Sequence, residues 1–161
     1  MIRVLIVDDE KMMIDGLKNC IKWKELGIDE VFAVTDPIQA LDIATEKKPD
    51  IIISDIKMPK MDGIALCRQI RQRLPDVDIL FLTAYSEKEY LKSAIVLRAV
   101  NFLEKPVNRR ELHDLIVELV DKINKKKQVS HPVNISNEDV VLDLIDTQGH
   151  YIQNKIVLKN G

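Results

Sequence analysis

"IRVLIVDDEK", residues 2–11, runs a nearly continuous β-branched apolar stretch straight into Asp8, Asp9 and Glu10, after which a helical pattern begins. A strand this uniformly apolar suits the interior of a parallel sheet, where both faces are buried. A helix that follows such a strand offers free backbone N–H groups to an anion, and nucleotide-binding folds place glycines there. Here the same turn carries negative charge. Close carboxylates repel, so the arrangement calls for solvent, a basic partner or a divalent cation.

The strand pattern recurs in "EVFAV" (30–34), "DIIIS" (50–54), "DILFL" (78–82) and "VNFLE" (100–104). Between these runs, apolar residues return at helical spacing: Met13, Leu17 and Cys20; Ala40, Leu41 and Ala44; Leu66, Ile70 and Leu74; Leu112, Leu115, Leu119 and Ile123. Asp36-x-x-Gln39, Ser86-x-x-Glu89 and Asn108-x-x-Glu111 match capping boxes, and Pro37 suits a first helical position. Alternation of this kind predicts a doubly wound α/β fold whose parallel sheet opens its ligand crevice at the carboxyl ends of the strands.

The 161 residues are 46% hydrophobic and 31% charged with a net charge of −2, which favours a globular domain and gives no case for nucleic acid or anionic membrane as the main partner. No signal peptide or membrane-length apolar run is visible. Cys20 and Cys67 lie at helical core positions without metal spacing, so a reduced, cytoplasmic compartment is expected and a disulfide between them is the weaker reading. Trp23 reads as core, the histidines as surface, and Lys125–Lys127 as a solvated helix end.

Past "KINKKKQVSHP" (122–132) the alternation stops. The chain therefore divides into a main domain over 1–127 and a linker with an accessory segment over 128–161. In the latter, 137–146 reads as a short helix with Val140, Val141, Leu144 and Ile145 on one face, and "YIQNKIVLK" reads as a strand. A strand-like ending without a partner suggests a piece of a longer protein.

The polar residues at strand ends carry the chemistry: Asp8 and Asp9, Asp55, Thr83, and Lys105 with Pro106. Singly each is ordinary, an acid before a helix or a hydroxyl in a turn. Together, three carboxylates make a hard oxygen site suited to Mg2+, with Mn2+ as the alternative. The lysine and hydroxyl suit the oxygens of a transferred phosphoryl group, and a carboxylate is a competent nucleophile for phosphorus. Asp55, alone at the end of the central strand, is the best acceptor. A flavin carrier on the same sheet fails because "DDEK" would repel the flavin phosphate. An aspartate-phosphate hydrolase fails because the D-x-D arrangement after the first strand is missing.

Residues 2 to about 126 resemble the receiver domain of two-component response regulators, through "IVDDE", "PDIIISDIKMPKMDG", "FLTAYS" and "NFLEKPV" in order. The resemblance implies a flavodoxin-like (βα)5 sheet of order 2-1-3-4-5, the order that flavodoxin shares with a chemotaxis receiver. It implies Asp55 as phosphoacceptor, Asp9 as a direct Mg2+ ligand, Asp8 as a helper, the Lys57 backbone carbonyl as a further ligand, and Thr83 and Lys105 as phosphoryl contacts. Thr83 and Phe102 would form the switch, Phe102 standing where the family often has Tyr. Such a domain is a phosphoacceptor and not a turnover enzyme. A sensor histidine kinase is the implied partner. The implied output is a face of the fourth helix, fifth strand and fifth helix (Tyr90, Lys92, Arg98, Arg110, Asp114) that supports a phosphorylation-dependent homodimer. "NCIKWKELGIDEVFAV" resembles receivers fused to AraC-type helix-turn-helix outputs, through which DNA would be reached; the 34 residues after 127 are too few for that domain.

Overall fold

The computed structural model describes residues 1–84, 101–129, 144–145 and 151–152. In chain order these form β1 (Arg3–Val7), α1 (Lys11–Cys20), a 3-10 turn (Trp23–Leu26), β2 (Glu30–Val34), α2 (Pro37–Lys47) and β3 (Ile51–Asp55). Then follow α3 (Gly63–Arg73), β4 (Asp78–Thr83), β5 (Asn101–Glu104), α4 (Arg109–Val129) and two short strands, β6 (Leu144–Ile145) and β7 (Tyr151–Ile152). The fourth helix of the sequence pattern, with its Ser86 cap and with Tyr90, Lys92 and Arg98, lies outside the described residues, so α4 is the fifth helical segment of that pattern.

Strands β1 to β5 form one parallel sheet of order β2-β1-β3-β4-β5, as the resemblance to receivers implies. The central strands β3 and β4 are buried along their whole lengths, which explains why their sequences show no polar alternation. Their side chains still alternate between two layers. Val4, Ile6, Ile51, Ile53, Leu80 and Leu82 pack with Ile14 and Leu17 of α1 and with Leu112, Ile116, Leu119 and Ile123 of α4. Leu5, Val7, Ile52, Ile79 and Phe81 pack with Ala40 and Ala44 of α2 and with Ile64, Leu66, Cys67 and Ile70 of α3. Each fully buried Ile or Leu contributes about 1.5–3 kcal/mol of transfer free energy, which is why both layers close over the sheet. Cys20 and Cys67 belong to opposite layers and are free thiols.

Local signals behave as their chemistry demands. Asp36 and Asn108 cap α2 and α4 by accepting from the Ile38 N–H and from the Arg110 and Glu111 N–H groups. Trp23 is buried and donates its indole N–H to the Lys18 carbonyl, 3.1 Å away. Gly27 ends the 3-10 turn at φ 81°, and a Cβ there would meet Val120 of α4. The "W-x-x-x-G" spacing therefore marks where the β1–β2 connection folds onto the last helix.

The chain separates into two compact units, Met1–Lys126 and Lys127–Gly161. Within the second, β6 and β7 pair antiparallel, Leu144 opposite Ile152 and Ile145 opposite Tyr151. Leu144 and Ile145 are thus strand residues, not the helical residues expected over 137–146. A short apolar pair fits either period, and Asp146 and Gly149, which favour turns, stand between the two pairs. Val140 and Val141 lie outside the described residues.

Candidate functional site

The sheet order reverses at β1: the chain steps outward to β2 and then back across to β3. In an open α/β sheet this switch point is where the carboxyl ends leave a crevice. The residues immediately after β1 are Asp8 and Asp9, and the last residue of β3 is Asp55. One carboxylate oxygen from each lies within 4.8 Å of the others. Asp8 is fully buried, Asp55 is 5% exposed, and Asp9 opens to solvent.

Lys105, just beyond β5, reaches across from the far side of the sheet. Its ammonium sits 3.0 Å from Asp8 Oδ2 and 3.1 Å from Asp55 Oδ1. Its backbone N–H donates to the Thr83 carbonyl at 2.8 Å, which ties the end of β5 to the end of β4. The other oxygen of Asp8 accepts from the Glu10 N–H at 2.9 Å. That bond shapes the turn into α1, whose N-cap residue Glu10 makes no side-chain cap of its own.

Burial dominates the electrostatics of Asp55 and pushes its pKa up to about 6, although Lys105 opposes the shift; the Asp8 charge adds to it. Burial acts to lower the Lys105 pKa, but the Asp8 hydrogen bond and the Asp55 and Asp8 charges outweigh it and hold the lysine above its ordinary value. Three carboxylates against one ammonium leave the crevice net negative. Octahedral Mg2+–oxygen bonds of about 2.0–2.1 Å put neighbouring ligand oxygens about 3 Å apart and opposite ones about 4 Å apart. The all-oxygen carboxylate donor set is the kind that ion prefers.

Thr83 ends β4, is 7% exposed, and donates its hydroxyl to the Ala84 carbonyl at 2.9 Å. Phe102 of β5 is half-buried and stacks on its register partner Phe81, ring centroids 5.9 Å apart. Lys57 is exposed, two residues beyond Asp55. Arg110 and Asp114 lie on the exposed side of α4.

The profile of the response regulator receiver domain matches residues 4–117. The chain belongs to the response regulator receiver family. This receiver is 32% identical over 135 residues to the transcriptional regulatory protein YesN of Bacillus subtilis (strain 168), a match covering 81% of this chain and 37% of YesN. It is 28% identical over 158 residues to the transcriptional regulatory protein HptR of Staphylococcus aureus (strain N315), covering 98% of this chain and 62% of HptR. The chain thus spans about half the length of the curated relatives it matches. Among solved structures, the two-component transcriptional regulator AraC from Clostridium phytofermentans ISDg superposes with TM-score 0.73 at 36% identity, covering 81% of this chain and 100% of that one. The REC domain of AraT, a response regulator from Geobacillus stearothermophilus, gives 0.74 at 30% identity, covering 78% and 97%. The acidic Asp8–Asp9–Asp55 pocket is consistent with phosphoacceptor signalling, the work of a receiver. Among the described residues no helix is long and apolar enough to cross a membrane.

One further residue belongs to the site, although its place in the motif gave it no role. Gly63, the first residue of α3, lies so close to the end of β3 that a Cβ would fall 1.9 Å from the Asp55 carbonyl oxygen. Its N–H donates to the Ile56 carbonyl at 2.7 Å, and the preceding Asp62 caps the helix through the Ala65 N–H. The "DG" pair at a helix start was the available clue: a cap followed by a residue without a side chain.

Proposed function

We propose that this receiver accepts a phosphoryl group on Asp55 from the phosphohistidine of a sensor histidine kinase, in a Mg2+-dependent reaction in the cytoplasm. The single observation that carries the proposal is the convergence of Asp8, Asp9, Asp55 and Lys105 at the sheet's switch point. An Asp55 carboxylate oxygen attacks phosphorus, and a new P–O bond forms as the bond to the donor's leaving group breaks. The leaving group departs with the electron pair, and Asp55 becomes an acyl phosphate. Asp9, Asp55, Asp8 and the Lys57 carbonyl would hold Mg2+ (or Mn2+), which supplies charge neutralisation for the phosphoryl oxygens. Lys105 would turn its ammonium from the carboxylates to a phosphoryl oxygen, and Thr83 would release the Ala84 carbonyl to donate to another.

Inward movement of Thr83 is the first step of the output, with Phe102 following it as the second switch residue. The face of β5 and the flanking helices, including Arg110 and Asp114, then favours a symmetric dimer that would bring AraC-type DNA-binding domains together in a longer regulator. Support for that output comes from YesN and HptR, which are transcriptional regulators.

The test is incubation with acetyl phosphate and Mg2+, followed by intact-mass analysis. The wild type should gain one phosphoryl group, lose it on mild base treatment, and sediment as a heavier species. Asp55→Asn should gain none. A phosphoryl group that persists on the Asn variant would overturn the assignment of Asp55.

A further inference from the structure

The acceptor strand ends with its last carbonyl outside the β1 ladder. The pairing of β1 with β3 stops at Val7–Ser54, so no β1 residue stands in register with Asp55. On the other side, the Ile56 N–H still reaches the Leu82 carbonyl at 3.3 Å. The Asp55 carbonyl accepts instead from the Ser54 hydroxyl, 2.9 Å away in a fully buried setting. By strand alternation Ser54 and Asp55 point to opposite layers. Ser54 points into the α2–α3 layer, where the Cys67 thiol of α3 lies within hydrogen-bonding reach of its hydroxyl. A Cβ on Gly63 would come within 2.8 Å of the same Ser54 oxygen. The start of α3, the serine hydroxyl and the acceptor's own main chain thus meet at one point.

From this we infer that Ser54 is a positioning residue for phosphoryl transfer: its hydroxyl holds the Asp55 main-chain carbonyl and so sets the aim of the carboxylate on the opposite face of the strand. The inference rests on Asp55 being the acceptor. The physical reason is that the backbone at Asp55 sits where the sheet ladder has ended on one side. Without the serine hydroxyl, the peptide after Asp55 can rotate to find another donor. The carboxylate moves with it, and small errors in the attack geometry cost rate steeply. Gly63 makes the hold tight, because a bare α-carbon lets α3 rest on the same carbonyl.

The experiment compares wild type, Ser54→Ala and Cys67→Ala, measuring melting temperature, Mg2+ dissociation constant and the limiting rate of phosphorylation by acetyl phosphate at saturating Mg2+. Cys67→Ala removes buried volume from the same layer but leaves the Ser54–Asp55 bond intact, so it reports what packing loss alone does. For Ser54→Ala the limiting rate should fall about tenfold or more. The Mg2+ constant should weaken by less than the limiting rate falls, since Asp55 shifts but Asp8 and Asp9 are untouched. Cys67→Ala should lose melting temperature yet keep its limiting rate. A Ser54→Ala rate within about twofold of wild type would overturn the inference. So would an equal rate loss in Cys67→Ala, or a rate loss that disappears once weaker Mg2+ binding is accounted for. Failure of wild type to be phosphorylated, or labelling that survives Asp55→Asn, would instead bring down the acceptor assignment itself.

Discussion

At the N-terminal ends of the strands Asp29, Asp50 and Asp78 each meet a separate donor, whereas at the C-terminal ends Asp8, Asp9 and Asp55 meet one another. Asp29 accepts from the Ile2 N–H and Asp50 from the Arg3 N–H, which pins the entry of β1 between its neighbours. Asp78, 4% exposed, takes the Lys122 ammonium of α4 at 2.6 Å. Each of these three acids has a local partner, so they act as fasteners. At the other end Asp8 and Asp55 share Lys105 while Asp9 opens to solvent beside them, and the resulting excess of negative charge is what a cation can relieve. Acids beside strands look alike in sequence; how many donors reach them separates structure from chemistry.

That contrast can be broken most forcefully at Asp9. Asp9→Ala should weaken Mg2+ binding about 10- to 100-fold, since a carboxylate ligand is lost, while Asp50→Asn should leave it unchanged. Titration of both variants by tryptophan fluorescence or calorimetry reads the difference, and equal affinities would erase the distinction between the two ends.

The next effect is a pH dependence. In metal-free protein Asp55 titrates near 6, against 3.8 for an unperturbed aspartate. Between these values the folded chain holds a proton that the unfolded chain has released. Stability is therefore fully present below about pH 4, falls as pH rises, and is lost through about pH 6, by about 2–3 kcal/mol. Asp55→Asn should remove that slope in urea unfolding curves recorded with EDTA across the window. A slope that persists would place the proton elsewhere.

Lys122→Ala tests a fastener. It leaves the buried Asp78 oxygen without its ammonium and should cost about 1–3 kcal/mol in denaturant unfolding, with the phosphorylation rate unchanged. The smallest effect belongs to Lys60, in the loop after β3, which holds φ 69° and pairs with Asp36 on the surface at 2.7 Å. Lys60→Gly should relieve the left-handed strain and stabilise by about 0.5 kcal/mol, because the exposed ion pair it gives up is worth little. A loss of stability there would show that the pair outweighs the strain.

Much of this receiver was readable from local signals. Uniform apolar runs mark strands buried on both faces, caps at Asp36 and Asn108 mark helix starts, and the acids after 7 and at 55 mark the working edge. These are near-neighbour effects, set by side-chain sterics and hydration over a few residues. In the last segment the same signals misled, since Leu144 and Ile145 suit a helix face or a strand equally and their ladder with Tyr151 and Ile152 decided between them. The tertiary structure also decided which side chains meet across the sheet. Lys105 bonds Asp8 from 97 residues away, and no local pattern could say which acids it would reach. A strand buried on both faces hides which of its residues face which layer, so the opposite roles of Ser54 and Asp55 become visible in the packing alone. Sequence by itself determined the elements and the chemistry brought to one edge, because those depend on short-range physics. Which charge is neutralised, which carbonyl is held and which glycine touches Asp55 depend on distances between segments, and the open sheet with its two helical layers sets those.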